Sequence, residues 1–397
     1  MARKIVIVGA SSAGVSAAEA ARIQDPLAEI DLFSREKHLP YYRLRLCEVI
    51  DQPGIVDELT IHPADWYEAQ RIKLHLGKEV VAIERNQHQI RLQDNQVIPY
   101  DSLILASGSS SFVPPLEGIE HAGVMTLWTL DDAQALARRL ETARRAVVIG
   151  GGLLGLLAAY HLRKAGVAVT ILERGERLLS NQLDQAASAI FLQAVKGSGV
   201  EVAFQASTAR LLGYSDLPGS PVSGVLLQDG RTIPADLVLI STGVRSNNEL
   251  AQQAGLKCGK RIVTDTAMRT SDPVIFAAGD TAEPLDYWFG LWPVAMDQGW
   301  VAGINAAGGD TVYARDIPPY FVQAMGTQVV ALGDKGLETA TDDEPLAIDL
   351  ENDIHGGNYS KQVYRGDVLR GFMLVGDTSD YARLQRKVGQ KLGLIQR

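Results

Sequence analysis

The chain has 397 residues, enough for two or three domains, and its 46% hydrophobic and 21% charged residues are the balance of an ordinary soluble globular protein. A formal net charge of −9 argues against general nucleic-acid binding, which needs a basic surface to neutralise phosphates, though a local basic patch stays open. The two cysteines form no CxxC or CxxxxC pair and the seven histidines lack ligand spacing, which excludes a local redox dithiol, a cysteine-ligated iron-sulfur cluster and a cysteine-rich zinc site. No run reaches the roughly 18 apolar residues of a membrane-spanning helix. Arg3 and Lys4 precede an apolar stretch, but a glycine turn and Glu19 follow at once, so the segment reads as a strand and helix rather than a secretory leader. The expected location is the cytoplasm, with no membrane contact.

Lys4-Ile5-Val6-Ile7-Val8 predicts a strand buried on both faces of a parallel sheet. The turn Gly9-Ala10-Ser11-Ser12-Ala13-Gly14 follows, then a helix over Ala13 to Ile23 and a second strand over Ile30 to Ser34. This is the strand-turn-helix-strand context of a dinucleotide fingerprint, in which a pyrophosphate approaches free amides at a helix N-terminus. Gly9 and Gly14 hold the first and third positions, while Ser11 replaces the middle glycine. Next come an aromatic and basic loop, His38 to Glu48, and short strands at Lys78 to Ile83, Gln89 to Leu92 and Tyr100 to Ala106, the last ending in Ser107-Gly108. Pro114 and Pro115 mark a linker.

A second, cleaner fingerprint follows. Ala146 to Ile149 is the strand, Gly150, Gly152 and Gly155 hold all three positions with Leu153 and Leu154 between, Leu156 to Lys164 is the helix and Val167 to Leu172 the next strand. Glu173 ends that strand, where a carboxylate can accept hydrogen bonds from a ribose diol and repel a 2′-phosphate. NADH is therefore expected over NADPH, with Arg174 a partial counterweight. Two such turns on one chain suggest a relay in which a reduced nicotinamide passes a hydride to a bound flavin.

The second segment runs to Leu237 to Val244 and resembles the first in its acidic residue, apolar strand and Ser/Thr-Gly turn, as if one domain were inserted into a copy of itself. Val274 to Asp280 returns as another buried strand, and Trp292-Pro293 opens a helix reaching about Ala307, since proline suits a first helical turn. From about Tyr313 the texture changes to short strands, Gln328 to Leu332, Tyr359 to Arg365 and Val368 to Val375, then a helix at Asp380 to Leu392. The fold expected is α/β: two Rossmann-like dinucleotide-binding domains, one (113–244) inserted in the other (1–112 and 245–312), plus a small C-terminal α+β domain (313–397).

Over nearly its whole length the chain resembles the FAD-dependent pyridine-nucleotide oxidoreductases, most of all NADH:rubredoxin reductases and the flavin modules of NADH-dependent nitrite reductases. Gly9 to Gly14, Leu39 to Arg43, Ser107-Gly108, Gly150 to Gly155, Gly243-Val244-Arg245, Gly279-Asp280 and Leu369 to Asp377 carry this likeness. It implies that FAD lies on Gly9, Ser11, Ser12, Ala13 and Gly14, with Asp280 on the ribityl chain and Arg43 near the adenosine or pyrophosphate. Ser34 and Arg35 stand where the adenosine ribose is met, but Glu36 lies two residues past the expected acid, so the ribose partner is open. Val80, Ser107, Gly108 and Val294 complete the FAD set, and Gly243 the NADH set. The helix after Trp292 points its N-terminus at the flavin and Trp292 lines the nicotinamide pocket. Asp280 as a plain turn residue, Arg43 as a surface charge and Trp292 as a core or hinge residue are the plainer alternatives.

Two positions depart from the pattern. Many relatives carry a lysine where Glu48 stands and a glutamate paired with it where Leu157 stands, so neither takes the usual role here. Cys47 falls at a usual serine position rather than at the redox cysteine of disulfide-reducing cousins, and reads as a small buried residue or a redox group. Cys47, Glu48 and Trp292 are thus the catalytic candidates; no metal site is expected.

The resemblance implies an NADH-dependent flavoprotein reductase delivering single electrons to a small carrier such as rubredoxin. Arg383, Arg386, Lys387, Lys391 and Arg397 make the terminal segment basic, suited to an acidic carrier or simply to a helix dipole. The alternatives are a CoA-disulfide reductase or NADH oxidase, a reductase for ferredoxin or a nitrite-reducing partner, and a non-catalytic flavin-binding redox sensor. Oligomeric state is open.

Overall fold

The computed structural model describes residues 2–284, 288–314, 318–336, 346–353 and 356–390. The chain forms two compact units: Met1–Leu46, Gly54–Ser111 and Val244–Asp316 make the first, and Cys47–Pro53, Phe112–Gly243 and Ile317–Arg397 the second.

The core of the first unit is a parallel sheet of five strands, in the spatial order Ile72–His75, Glu29–Phe33, Lys4–Val8, Ser102–Leu105 and Ile275–Ala277. Its strands are continuous apolar runs because both faces are covered. Asp31 is the charged exception among their buried residues, placed mid-strand against His75 Nε2 at 2.6 Å. Burial alone would raise its carboxyl, but the His75 hydrogen bond and the charges of His75, Lys4 and Lys73 outweigh that and hold it below the usual range.

Helix Ser12–Gln24 follows the first turn and packs on helix Trp292–Ala306. Gly299 and Gly303 face it, and a Cβ on either would lie 2.2 Å from the carbonyl oxygen of Ala13 or Ala17. That backbone contact, with Ser16 Oγ donating to Met296 O at 2.7 Å, fixes where the two helices begin.

In the second unit another parallel sheet runs Val200–Ala203, Ala168–Leu172, Arg145–Ile149, Leu237–Ile240 and Val124–Thr126. The spatial order matches that of the first sheet, except that the last strand comes first in the chain. Each unit also carries a three-stranded antiparallel sheet, formed by residues 80–84, 89–92 and 97–99 in one and 208–213, 222–227 and 232–234 in the other.

The C-terminal part of the second unit is a five-stranded antiparallel sheet ordered Tyr320–Ala324, Thr327–Gly333, Val368–Val375, Asn358–Arg365 and Leu346–Asp353. It rests on helix Gln185–Gly197. Asp184, the N-cap of that helix, accepts from Ala187 N at 3.0 Å and, through Oδ2, from Tyr359 Oη at 2.6 Å and buried Lys361 Nζ at 3.0 Å. The first and last strands of this sheet escape the short-strand pattern read from the sequence. The expected terminal helix is realised as Tyr381–Lys387; residues 391 onward, with Lys391, Leu392 and Arg397, lie outside the described residues.

Candidate cofactor-binding sites

The two glycine turns are built alike. Gly9 and Gly150 have φ of +107° and +113°, and a Cβ on either would fall 2.1 Å from the carbonyl oxygen of Ala106 or Ser241. A Cβ on Gly14 or Gly155 would strike the carbonyl oxygen of Gly9 or Gly150 at 1.8 or 2.1 Å. The chain's own backbone therefore enforces the first and third glycines.

The middle position differs. Nothing lies within 4 Å of where a Gly152 Cβ would be, so that glycine fills no packing need; it leaves open space before a helix N-terminus. Ser11 occupies the same place in the first turn without straining the fold, and Arg43 Nε reaches its Oγ at 3.4 Å.

Among the described residues five helices have ten residues or more. Leu130–Arg139 is closed by a Thr129–Asp132 capping box and Gln185–Gly197 by Asp184. Ser12–Gln24, Leu153–Lys164 and Trp292–Ala306 begin with no side-chain cap and no acidic residue in the first turn. Their first amides and dipoles are left for an anion or an electron-rich ligand edge. These three helices are the ones the sequence assigns to FAD and NADH, so the residues present fit both groups.

Around the first turn, Arg43 pairs with Glu36 and lies over the Tyr41 ring at 5.0 Å, and Tyr41 Oη donates to Glu36 Oε2 at 2.7 Å. Glu36, not Ser34, is thereby brought to the Ser11 side: Ser34 is buried, with Oγ accepting from Glu36 N at 3.2 Å. Arg35 is exposed and reaches Ser110 Oγ at 3.4 Å. Lys78 N donates to Ser34 O at 2.8 Å, which sets buried Val80 beside the end of the second strand.

Asp280 follows Gly279, whose N donates to buried Gln298 Oε1 at 2.9 Å. The Asp280 carboxylate accepts from Ser109 Oγ at 2.6 Å and faces Trp288 Nε1 at 3.3 Å. Ser107 and Gly108 lie in the same turn as Ser109. Trp292 is half-buried and meets Tyr42 at 5.8 Å between ring centroids. Val294 is buried in the core, so only its backbone is available to a ligand.

In the second unit Glu173 braces its own glycine turn. Oε2 accepts from Gly151 N at 3.0 Å and Oε1 from Gly175 N at 2.6 Å, leaving each oxygen a lone pair. Arg174 is exposed beside it, and Gly243 has φ +102° with open space around it. Leu153 and Leu154 form the half-buried first turn of the helix.

The remaining candidates fare differently. Cys47 is 3% exposed, and burial, aided by Glu48, pushes its thiol up to about 12. A thiol held protonated is a poor nucleophile, which weighs against the redox alternative. Half-buried Glu48 lies in the Cys47–Pro53 segment, where Asp51 accepts from His161 Nδ1 at 2.5 Å and Lys164 Nζ at 2.8 Å. The Asp51 hydrogen bond is the main cause raising Lys164, with Glu48 adding to it. Acids thus lie on this segment and bases on the helix that carries Leu157, consistent with neither Glu48 nor Leu157 taking the usual role. At the C-terminus, the pair of Arg383 with Asp380 at 2.7 Å offsets one of the basic charges, and Arg386 Nε donates to Ala382 O with its charge kept.

The sequence reading named Glu36 without its Tyr41 and Arg43 partners, and missed Ser109, Trp288, Asn247 and the Asp51 cluster. Only Asn247 had a signal, standing just after Gly243-Val244-Arg245. Among the described residues no group of three or more His, Cys, Asp or Glu is placed to hold a metal, and no helix is long and apolar enough to cross a membrane.

A family described as "Pyridine nucleotide-disulphide oxidoreductase" matches residues 3–299. An assimilatory nitrate reductase electron transfer subunit of Bacillus subtilis is 30% identical over 384 residues, 96% of this chain but 48% of the relative, so the chain spans about half its length. The ferredoxin-NAD(+) reductase component of an anthranilate 1,2-dioxygenase system from Burkholderia cepacia is 33% identical, covering 99% of this chain and 93% of the relative. The crystal structure of NADH:rubredoxin oxidoreductase from Clostridium acetobutylicum superposes with a TM-score of 0.81 at 27% identity, covering 98% of this chain and 96% of that one. Twin glycine turns on twin parallel sheets, matched along most of the chain, place it in the pyridine nucleotide-disulphide oxidoreductase family.

Proposed function

We propose that the chain is an NAD(P)H-dependent flavoprotein reductase, with NADH as donor and a small one-electron carrier protein as acceptor. One observation carries the reading: in each unit the central strand of a five-stranded parallel sheet ends in a glycine turn that opens an uncapped helix. Segments 1–112 and 245–312 would hold FAD, 113–244 would hold NADH, and 313–397 would serve as an interface domain. Bound FAD supplies a ring that takes up a hydride pair and gives electrons back singly.

The chain's own residues bind and orient. The amides at Ser12, Ala13 and Gly14 receive the pyrophosphate, Arg43 neutralises it, and the Glu36 carboxylate stands where Ser34 and Arg35 leave the ribose unmet. Asp280 accepts from the ribityl chain, and the start of helix Trp292–Ala306 offers its positive end where negative charge develops. Gly150 to Gly155 seat the nicotinamide dinucleotide's pyrophosphate, and Glu173 takes its ribose diol. No acid or base is needed for hydride transfer, so alignment and exclusion of water are the protein's contribution. The buried, protonated Cys47 thiol disfavours the disulfide-reductase alternative.

The relatives' names divide over the carrier, from ferredoxin to rubredoxin to a nitrate-reducing partner. Rubredoxin is retained as the acceptor, met in the cytoplasm. The test is anaerobic stopped-flow reduction by NADH and by NADPH, followed by mixing with rubredoxin, ferredoxin or oxygen. Rapid bleaching by NADH supports the reductase, and protein that binds FAD without bleaching is a sensor instead. Reoxidation by rubredoxin no faster than by oxygen would overturn the carrier assignment, and reoxidation by ferredoxin alone would move it there.

A further inference from the structure

The chain leaves the first unit along Ser109–Ser111 and returns along Val244–Ser246, and these two strands pair antiparallel, Ser109 opposite Ser246 and Ser111 opposite Val244. The residue after the returning strand is Asn247. Its Nδ2 donates to Ser107 O at 2.8 Å, and its Oδ1 accepts from Ser110 Oγ at 2.7 Å. Its backbone N donates to Gly108 O at 3.0 Å, and its carbonyl accepts from Ser107 Oγ at 2.7 Å and from fully buried Thr281 Oγ1 at 3.1 Å. One residue therefore grips residues 107, 108 and 110, and also the neighbour of Asp280.

Between those gripped residues sits Ser109, whose Oγ donates to Asp280 Oδ2 at 2.6 Å. A carboxylate turns easily about its last torsion, which is broad and roughly two-fold. The short bond from Ser109, beside a longer one from Trp288 Nε1 at 3.3 Å to the other oxygen, holds that torsion best while the turn carrying Ser109 is held still. Asparagine suits this place because it donates and accepts through one planar group, which aspartate or leucine cannot do.

We propose that Asn247 is a positioning residue for the flavin site: it pins the Ser107–Ser110 turn so that Ser109 orients the Asp280 carboxylate toward the FAD ribityl chain, an inference that rests on the flavin reading of the first unit. Asn247 then acts on FAD through Ser109 and Asp280, without touching it.

The experiment is a double-mutant cycle on the full chain, using Asn247→Ala, Ser109→Ala and the pair. The FAD dissociation constant is measured by flavin fluorescence after reversible flavin removal, beside the melting temperature of the apoprotein and the half-saturating NADH concentration. Each single change should weaken FAD about tenfold, the size of one buried hydrogen bond. The pair should be no worse than roughly threefold beyond either single, since both act through one carboxylate. NADH half-saturation should stay within about twofold, because its expected residues lie elsewhere. Wild-type FAD affinity in Asn247→Ala, or losses that multiply to about a hundredfold, would overturn the proposal. A fall in apoprotein melting temperature with FAD affinity unchanged would do the same, since that marks a structural residue only. Ser110→Ala, which removes one partner from outside, is the milder variant if Asn247→Ala does not fold, and should weaken FAD about threefold. Wild-type protein that takes up no FAD defeats the flavin reading itself, a different result from a variant that binds as the wild type does.

Discussion

The second glycine turn separates glycines needed by the fold from a glycine needed by a ligand, and substitution tells them apart. Gly155→Ala would put a methyl 2.1 Å from Gly150 O. Backbone must move by more than an ångström to relieve it, so the overpacking cost is about 1–3 kcal/mol, or several degrees of melting temperature. In Gly152→Val the Cβ meets nothing within 4 Å, and the residue finds an ordinary extended backbone at φ −77°, ψ 179°. The melting temperature should stay within about 1–2 °C of wild type, as expected of a substitution that disturbs no packing. Its isopropyl group fills the approach to the amides at Leu153 and Leu154. Losing two charge-assisted hydrogen bonds, about 1.5–3 kcal/mol each, weakens NADH at least a hundredfold. Binding is read from the NADH dependence of anaerobic flavin reduction, and stability from thermal unfolding of the same preparations. If Gly152→Val binds NADH like the wild type, or melts as low as Gly155→Ala, the distinction between the positions is wrong.

Three further outcomes are expected. Glu173→Gln keeps the side chain's shape and removes its charge, so the ratio of NADH to NADPH flavin-reduction rates should narrow about tenfold or more; an unchanged ratio places specificity elsewhere. Asp184→Ala strips a helix cap, about 1 kcal/mol, and leaves the Lys361 ammonium buried without its partner, about 3–5 kcal/mol, so thermal unfolding should fall by roughly ten degrees. In the wild type, burial pushes the Asp184 carboxyl up, but Tyr359, the Ala187 amide and Lys361 together hold it below its ordinary value. Its contribution is therefore present above the unfolded carboxyl range near pH 4 and is lost as pH falls through the folded value, which melting curves of wild type and Asp184→Asn between pH 3 and 7 will show by converging in acid. Cys47, with its thiol at about 12, should resist alkylation in the folded protein at pH 8, and Cys47→Ser should keep NADH-driven turnover within about twofold; fast labelling together with lost turnover would restore the disulfide-reductase alternative.

Both glycine turns, their strands and helices were legible in the sequence because a buried parallel strand, a turn with enforced glycines and a helix each leave a local pattern. The helix opened by Trp292 was placed to within one residue for the same reason. What stayed hidden depends on contacts distant in the chain. Asn247 meets Ser107 and Ser110 only because the chain comes back beside its point of exit, and Asp51 meets His161 across more than a hundred residues. Glu36 illustrates a third limit: the turn at Ser34 carries it to Arg43 and Tyr41, a meeting that no spacing rule encodes. The strands Tyr320–Ala324 and Leu346–Asp353, which the sequence reading overlooked, are the two edges of their sheet and each pairs on one side only.

The placement of the fifth strand sets an order of assembly during synthesis. In the second sheet that strand, Val124–Thr126, leaves the ribosome first, so the sheet is complete once Leu237–Ile240 has emerged. The first sheet waits for Ile275–Ala277, with Gly279 and Asp280 directly behind, long after its own glycine turn has been made. At about 5–20 residues per second the delay is on the order of ten seconds, during which the first strands stand with an unfilled edge. The second sheet is thus complete while the first is still half built, and Gly279 and Asp280 emerge only after it.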